Sequence, residues 1–143
     1  MTVTVKRLDS QHEFEAIKVI RARVFIEEQG ISPDLEIDEF DAAALHAVAY
    51  LSGDIVGTGR LIIDNETEAR VGRMAVEFSR RGHGIGSAIL GFLENEALKL
   101  GIKTVILHAQ NYVKEFYVNS GYHEQGDTFM EAGILHIEMR KAI

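Results

Sequence analysis

Three alternating glycines, Gly82, Gly84 and Gly86, follow a pair of arginines, Arg80 and Arg81, where a strand-like pattern gives way to a helical one. Glycines let a backbone approach a ligand closely. The unpaired N–H groups of a first helical turn, with the positive end of its dipole, then form an anion site. The ligand that suits such a segment is a phosphate or pyrophosphate. Between Arg70 and His83 the chain carries Arg70, Arg73, Arg80 and Arg81 against a single acid, Glu77, although its net charge is −7. One local arginine cluster on an acidic protein reads either as an anionic ligand bound at one place or as a solvated charged loop.

Two better-known phosphate motifs do not fit. A P-loop needs GxxxxGK[ST], and the chain has no Gly-Lys-Ser/Thr. A dinucleotide fingerprint needs GxGxxG, but the third position is Ser87 counted from Gly82 and Ile89 counted from Gly84. What remains is Arg81-x-x-Gly84-x-Gly86. The chain contains no cysteine, which excludes a disulfide framework, a thiolate zinc site and a cysteine nucleophile. The acidic balance argues against a nucleic-acid partner, which would need a basic face. No stretch approaches the ~18 uninterrupted apolar residues of a membrane span, and the N-terminus lacks a signal-peptide core. A cytoplasmic location with no membrane partner is the expectation. At 143 residues, 46% hydrophobic and 26% charged, the chain suits one domain over 1–143.

Positioning those residues requires a strand into the loop and a helix out of it. Alternating valines over 2–7 read as a first strand. Ser10 with Glu13 makes a capping box for a helix running to about Gln29, ended by Gly30. A polar loop through Pro33 to Asp41 follows. Strands over 46–51 and 55–63 join at Ser52-Gly53-Asp54, and a third strand covers 69–76. The glycine segment opens a helix with the apolar stripe Ile85, Ile89, Phe92, Leu93, Ala97 and Leu100, stopped by Gly101. A strand over 104–109, a short helix over 111–119 and strands over 122–130 and 134–140 complete the chain. The order β-α-β-β-β-α-β-α-β-β is an α/β (α+β) arrangement with a mixed sheet and helices on its faces.

On these residues the chain resembles the GNAT N-acetyltransferases. Their signature Q/R-x-x-G-x-G/A, between the fourth strand and the next helix, holds the pyrophosphate of coenzyme A. The lead-in Arg73-Met74-Ala75-Val76, the five-residue step to Arg81 and the tail Ser87-Ala88-Ile89-Leu90 are similar as well. Phe78 departs from the family, standing where a proline is common. Downstream, Asn111-x-x-x-x-Phe116-Tyr117-x-x-x-Gly121-Tyr122 is similar to the family's second signature. Arg23-Val24-Phe25-Ile26-Glu27-Glu28-Gln29, residues 36–41, His46 and Gly133-Ile134-Leu135-His136 resemble the ElaA-type branch.

The resemblance implies the acyl-CoA N-acyltransferase fold, acetyl-CoA as co-substrate and transfer to an amine acceptor. It implies that Gly82, His83, Gly84, Ile85, Gly86 and Ser87 with Arg81 hold the pyrophosphate. Backbone groups of Met74, Ala75 and Val76 would pair with the pantetheine arm and place an N–H near the thioester oxygen. Asn111 would contact the same arm; its alternative role is to cap the helix that follows. Tyr117 occupies the family's general-acid position, and a tyrosine near its reference pKa of ~10 can protonate a leaving thiolate. Otherwise it packs beside Phe116.

An amine is mostly ammonium at neutral pH and must lose a proton before attack. Candidates for that base are Glu28, near the end of the first helix, and the strand histidines His46, His108 and His136. Ordered water could serve instead. The acidic run Asp34, Glu36, Asp38, Glu39 and Asp41 reads first as a solvated loop and second as an attractor for a cationic amine. Taken with Arg23-Val24-Phe25 it is also similar to acyl-homoserine-lactone synthases, which lack the RxxGxG motif. A non-catalytic acyl-CoA-binding or sensing module on the same fold is the main alternative to an enzyme. No metal is expected. The two last strands could pair or exchange between subunits of a homodimer.

Overall fold

The computed structural model describes residues 2–143 and contains one seven-stranded sheet. Strands β1 (Val3–Arg7), β2 (Leu45–Leu51), β3 (Asp54–Ile63) and β4 (Glu68–Val76) form an antiparallel meander. β5 (Thr104–Gln110) joins β4 in parallel, and β7 (Ile134–Ala142) and β6 (His123–Glu131) follow it antiparallel, giving the order β1-β2-β3-β4-β5-β7-β6. The mixed sheet and the element order agree with the reading of the sequence.

Helix α1 (Gln11–Arg21) starts with half of the expected capping box: Ser10 accepts from the Glu13 N–H, while the Glu13 carboxylate accepts from the N–H of Asp9, one residue before Ser10. It does not stay an α-helix to Gln29. Residues Ala22–Glu28 widen into a π-helical turn, an irregularity that often marks functional sites. Ile20, Val24 and Phe25 pack with Ala75 on this face of the sheet. The opposite face carries α3 (Ile85–Lys99) and α4 (Lys114–Asn119) over the main core. Gly57 and Gly59 of β3 make that packing possible. A Cβ on Gly59 would stand 2.7 Å from Met74 Sδ and 2.8 Å from Ile89, so only glycine lets α3 sit this close to β3.

The stretch expected to be a polar loop holds a helical turn, α2 (Pro33–Glu36), and a 3₁₀ turn, Glu39–Ala42. It is not solvated throughout. Glu36 and Asp41 are buried against Arg21, which is 1% exposed. Arg21 donates from Nε to Glu36 Oε1 at 2.5 Å and from Nη1 to Asp41 Oδ1 at 2.7 Å. Arg60 donates to Asp38 and Asp41 from the other side. Only Asp34 and Glu39 of the acidic run face water. Its reading as a solvated run, or as an attractor for a cationic substrate, is therefore corrected: its buried members are spent on two internal arginines. Among the described residues, no helix is long and apolar enough to cross a membrane.

Candidate active site

β4 and β5 pair over only three residues each, Glu68–Arg70 against Thr104–Ile106. Beyond that point the two strands separate. β4 also carries a bulge there: Thr58 faces Ala75, yet Arg60 faces Gly72, so β4 holds one extra residue. Arg73 takes the strain with a φ of 51°, a left-handed value uncommon outside glycine. Its guanidinium is fixed by α2, donating to the carbonyls of Leu35 and Glu36 at 3.0 and 2.9 Å and to Asp38 at 3.1 Å. The buried Arg21 cluster thus anchors the turn that holds the bulge in shape.

The separated strands border a cavity of about 940 Å³. Met74, Ala75, Val76, Arg81, Gly82, Gly84, Ile85, Gly86, Ser87 and Tyr117 line it, as does Glu28. Gly84 caps α3 with a φ of 77°, and among the described residues no side chain makes a cap hydrogen bond there. Gly86 lies inside the first turn, where a Cβ would meet Phe116 at 3.3 Å. His83 is exposed and lies outside the cavity lining.

The arginine cluster divides. Arg70 pairs with Asp64, Arg73 with Asp38 and Arg80 with Asp54. Only Arg81 combines the cavity with the glycine loop. It donates from Nη1 and Nη2 to both oxygens of Glu28, each at 3.0 Å, and from Nε to the Val76 carbonyl at 3.1 Å. Glu28 is thus a counter-ion to Arg81, not an unattached carboxylate.

On the other side of the cavity, α4 presents Tyr117. Its ring meets Phe116 and Tyr122 edge-on, with centroids 5.0 and 6.0 Å apart. Burial pushes its phenol up to about 12. Tyr122, five residues on, is already engaged: its hydroxyl donates to Glu94 at 2.7 Å, and Lys141 holds the other Glu94 oxygen at 3.1 Å. Asn111 opens a 3₁₀ turn, Asn111–Val113, and caps no α-helix; its Oδ1 is buried with no partner among the described residues, and it lies outside the cavity lining.

His46 is corrected as a base. It is buried away from the cavity, with Nε2 2.8 Å from the Asp41 carbonyl and its ring against Phe14. His108 and His136 do line the cavity, together with Glu131, which the sequence did not single out. Glu131 sits in a recognisable turn, but only the pairing of β6 with β7 shows that it reaches both histidines.

The sequence profile described as "Acetyltransferase (GNAT) domain" matches residues 12–143. The Bacillus subtilis (strain 168) protein YyaT is 35% identical over 144 residues, covering 99% of this chain and 97% of its own length. Among solved structures, Escherichia coli ElaA superposes with a TM-score of 0.84 at 25% identity, over 98% of this chain and 99% of ElaA. An acyl-CoA N-acyltransferase from Pseudomonas aeruginosa superposes with a TM-score of 0.84 at 27% identity, over 99% of each chain.

Proposed function

The chain belongs to the GNAT family of acetyltransferases and is an acyltransferase, and from that premise we propose that it moves acetyl from acetyl-coenzyme A directly to an amine. One observation carries the reading. The glycine-capped N-terminus of α3, the open edge of β4 and Tyr117 border a single cavity where β4 and β5 part. The α3 N-terminus and Arg81 suit a pyrophosphate. The part of β4 beyond its ladder with β5, Val71 to Val76, suits an extended amide-bearing arm. Tyr117, protonated at neutral pH, would give its proton to the departing thiolate. No acyl-enzyme is needed, since the amine attacks the thioester itself.

Thiol release from acetyl-coenzyme A across a panel of small amines, peptide N-termini and lysine peptides tests the proposal. Tight acetyl-coenzyme A binding without release by any acceptor would favour the sensing module instead.

Two substitutions probe the anion end. Any L side chain at Gly84 costs about 1–2 kcal/mol through its positive φ. Gly84→Ala and Gly84→Val should therefore both melt earlier, while calorimetry shows the valine losing at least ~10-fold in coenzyme A affinity and the alanine less. Unchanged affinity in both variants would remove the loop from the site. Glu28→Gln should free Arg81 and strengthen coenzyme A binding by about two- to fivefold, the size of an exposed ion pair. That gain should shrink as salt rises, and turnover should persist. A large loss of rate with intact binding would identify Glu28 as the base.

A further inference from the structure

β5 and β7 pair with His108 opposite Glu138 and Gln110 opposite His136, so these four side chains share one face of the sheet. It is the face away from α3 and α4, because the alternate residues Leu107, Ala109, Ile137 and Met139 are buried in the α3 core. Glu131, the last residue of β6, joins the two histidines. Its Oε1 lies 3.0 Å from His108 Nδ1 and its Oε2 lies 3.6 Å from His136 Nε2. A carboxylate can only accept, so His108 Nδ1 carries the hydrogen and Nε2 keeps a lone pair when the ring is neutral. His136 is pinned in its turn, its Nδ1 2.6 Å from the Ile134 carbonyl. Phe129 completes the frame, edge-on to His108 at 5.0 Å and stacked on His136 at 6.0 Å.

His108 lies two residues beyond Ile106, the last β5 residue paired to β4. It therefore borders the cavity where the strands have parted, on the face opposite α4 and Tyr117. Direct transfer has this geometric need: the nucleophile approaches the acyl carbon from one side while sulfur departs on another. The proton acceptor and the proton donor are best placed on different walls. Among the candidate bases, Glu28 is bound to Arg81 and His46 is outside the cavity. His136 lines the cavity too, but it is 6% exposed, with Nδ1 held at the Ile134 carbonyl and Nε2 facing Glu131. His108 is the exposed ring of the pair and has the Glu131 carboxylate on Nδ1, the arrangement by which a carboxylate fixes an imidazole tautomer and steadies its protonated form.

We propose that His108 is the base that deprotonates the acceptor amine, and that Glu131 is the residue that positions it; the assignment rests on the acetyltransferase reading above. The ammonium gives one proton to His108 Nε2, and the freed lone pair forms the C–N bond at the thioester carbon. The C–S bond breaks with its electron pair on sulfur, which takes a proton from Tyr117. Two protons leave nitrogen and one arrives on sulfur: His108 passes the first to solvent, and the second restores the Tyr117 phenol.

The pH dependence follows from the groups around the ring. Glu131 from β6 faces Nδ1, Glu138 from β7 lies 3.8 Å from Nε2, His136 flanks it, and Arg70 approaches from β4. The hydrogen bond to Glu131 raises the pKa of His108 above its ordinary value, against burial and Arg70. The neutral, proton-accepting ring forms as pH rises through that value, so the rate should rise with it.

Single-turnover thiol release from acetyl-coenzyme A, with the fastest amine of the panel, should be followed across pH in wild type, His108→Gln and Glu131→Gln. The His108 pKa should be read separately by NMR. In wild type the rate should rise through that pKa. Glu131→Gln should lower the kinetic and NMR values together while leaving acetyl-coenzyme A affinity unchanged. His108→Gln should slow transfer by about 10²-fold at neutral pH and recover toward the alkaline pKa of the amine itself. A His108→Gln protein with the wild-type pH profile overturns this assignment alone, as does a Glu131→Gln protein whose NMR value moves without its kinetic limb. A wild type that binds acetyl-coenzyme A but releases thiol with no amine overturns the assignment and the acetyltransferase reading together.

Discussion

Tyr117→Phe is expected to slow single-turnover acetyl transfer by ~10²–10⁴-fold, the range for a lost general acid, with little change in stability or acetyl-coenzyme A affinity. The ring keeps its edge-on contacts with Phe116 and Tyr122, and no protein group among the described residues hydrogen-bonds the hydroxyl that is removed. Burial places the phenol at about 12, so it remains protonated well past pH 10. An acid raised in this way loses its proton only as pH climbs through the raised value. The wild type should show no tyrosine-linked fall in rate near the ordinary tyrosine value of ~10. Tyr122→Phe is the matched control. It breaks the bond to Glu94 and leaves that carboxylate with Lys141, so it should cost stability and leave the chemical step unchanged. Near wild-type single-turnover rates in Tyr117→Phe would leave the thiolate to take its proton from water.

Arg21→Met is expected to cost about 3–5 kcal/mol, because it takes the close cation from buried Glu36 and one of two from buried Asp41. The melting temperature should fall by roughly 10 °C or more. Glu36, 2% exposed, would keep only Arg73 at 3.9 Å, and Asp41, 8% exposed, only Arg60 at 3.0 Å. Burial alone would raise the Asp41 carboxyl, yet the hydrogen bond from Arg21 and those around it hold it far below the usual range. A depressed carboxylate stabilises the fold above its unfolded value of ~3.9 and loses that contribution as pH falls toward the folded value. The gap between wild type and Arg21→Met should therefore be widest at neutral pH and narrow in acid, as urea melts at several pH values will show. The variant should also lose activity out of proportion to its unfolded fraction. Glu36 carries the carbonyl that seats Arg73, and Arg73 is the strained residue of the β4 bulge. Asp34→Asn, on the exposed side of the same turn, should do neither.

What the sequence disclosed about this molecule was local. The RxxGxG segment and the N-x₄-FY-x₃-GY segment are each read within a few positions, because close backbone approach and a helix start restrict residue types on the spot. Gly30, Gly101 and Gly121 marked helix ends for the same reason. The acidic run resisted because its meaning lies elsewhere in the chain: Arg21 stands fifteen positions before Glu36, and Arg60 nineteen after Asp41. Nothing near Glu36 distinguishes a buried carboxylate from a solvated one. His46 and His108 looked equivalent, each a polar residue on a strand. Cross-strand register separates them, since one ring points at the Asp41 carbonyl and the other at Glu131. The π-helical turn left no trace in the apolar spacing, because Val24 and Phe25 meet the sheet whether the turn is wide or regular.

The three-residue ladder between β4 and β5 makes this sheet two plates joined by a short seam. Each plate has its own antiparallel hydrogen bonding, but their mutual alignment depends on few rungs. An extended arm lying in the gap would act as a missing strand and suture the plates along their whole length. Occupancy would then set rigidity by mass action: the concentration of the acyl carrier would decide how often the seam gapes. Within residues 71–76 and 107–110, the backbone amides that point into the gap, away from β3 and β7, would be the places where that gaping is felt, exchanging with solvent in the empty protein and quiet in the filled one.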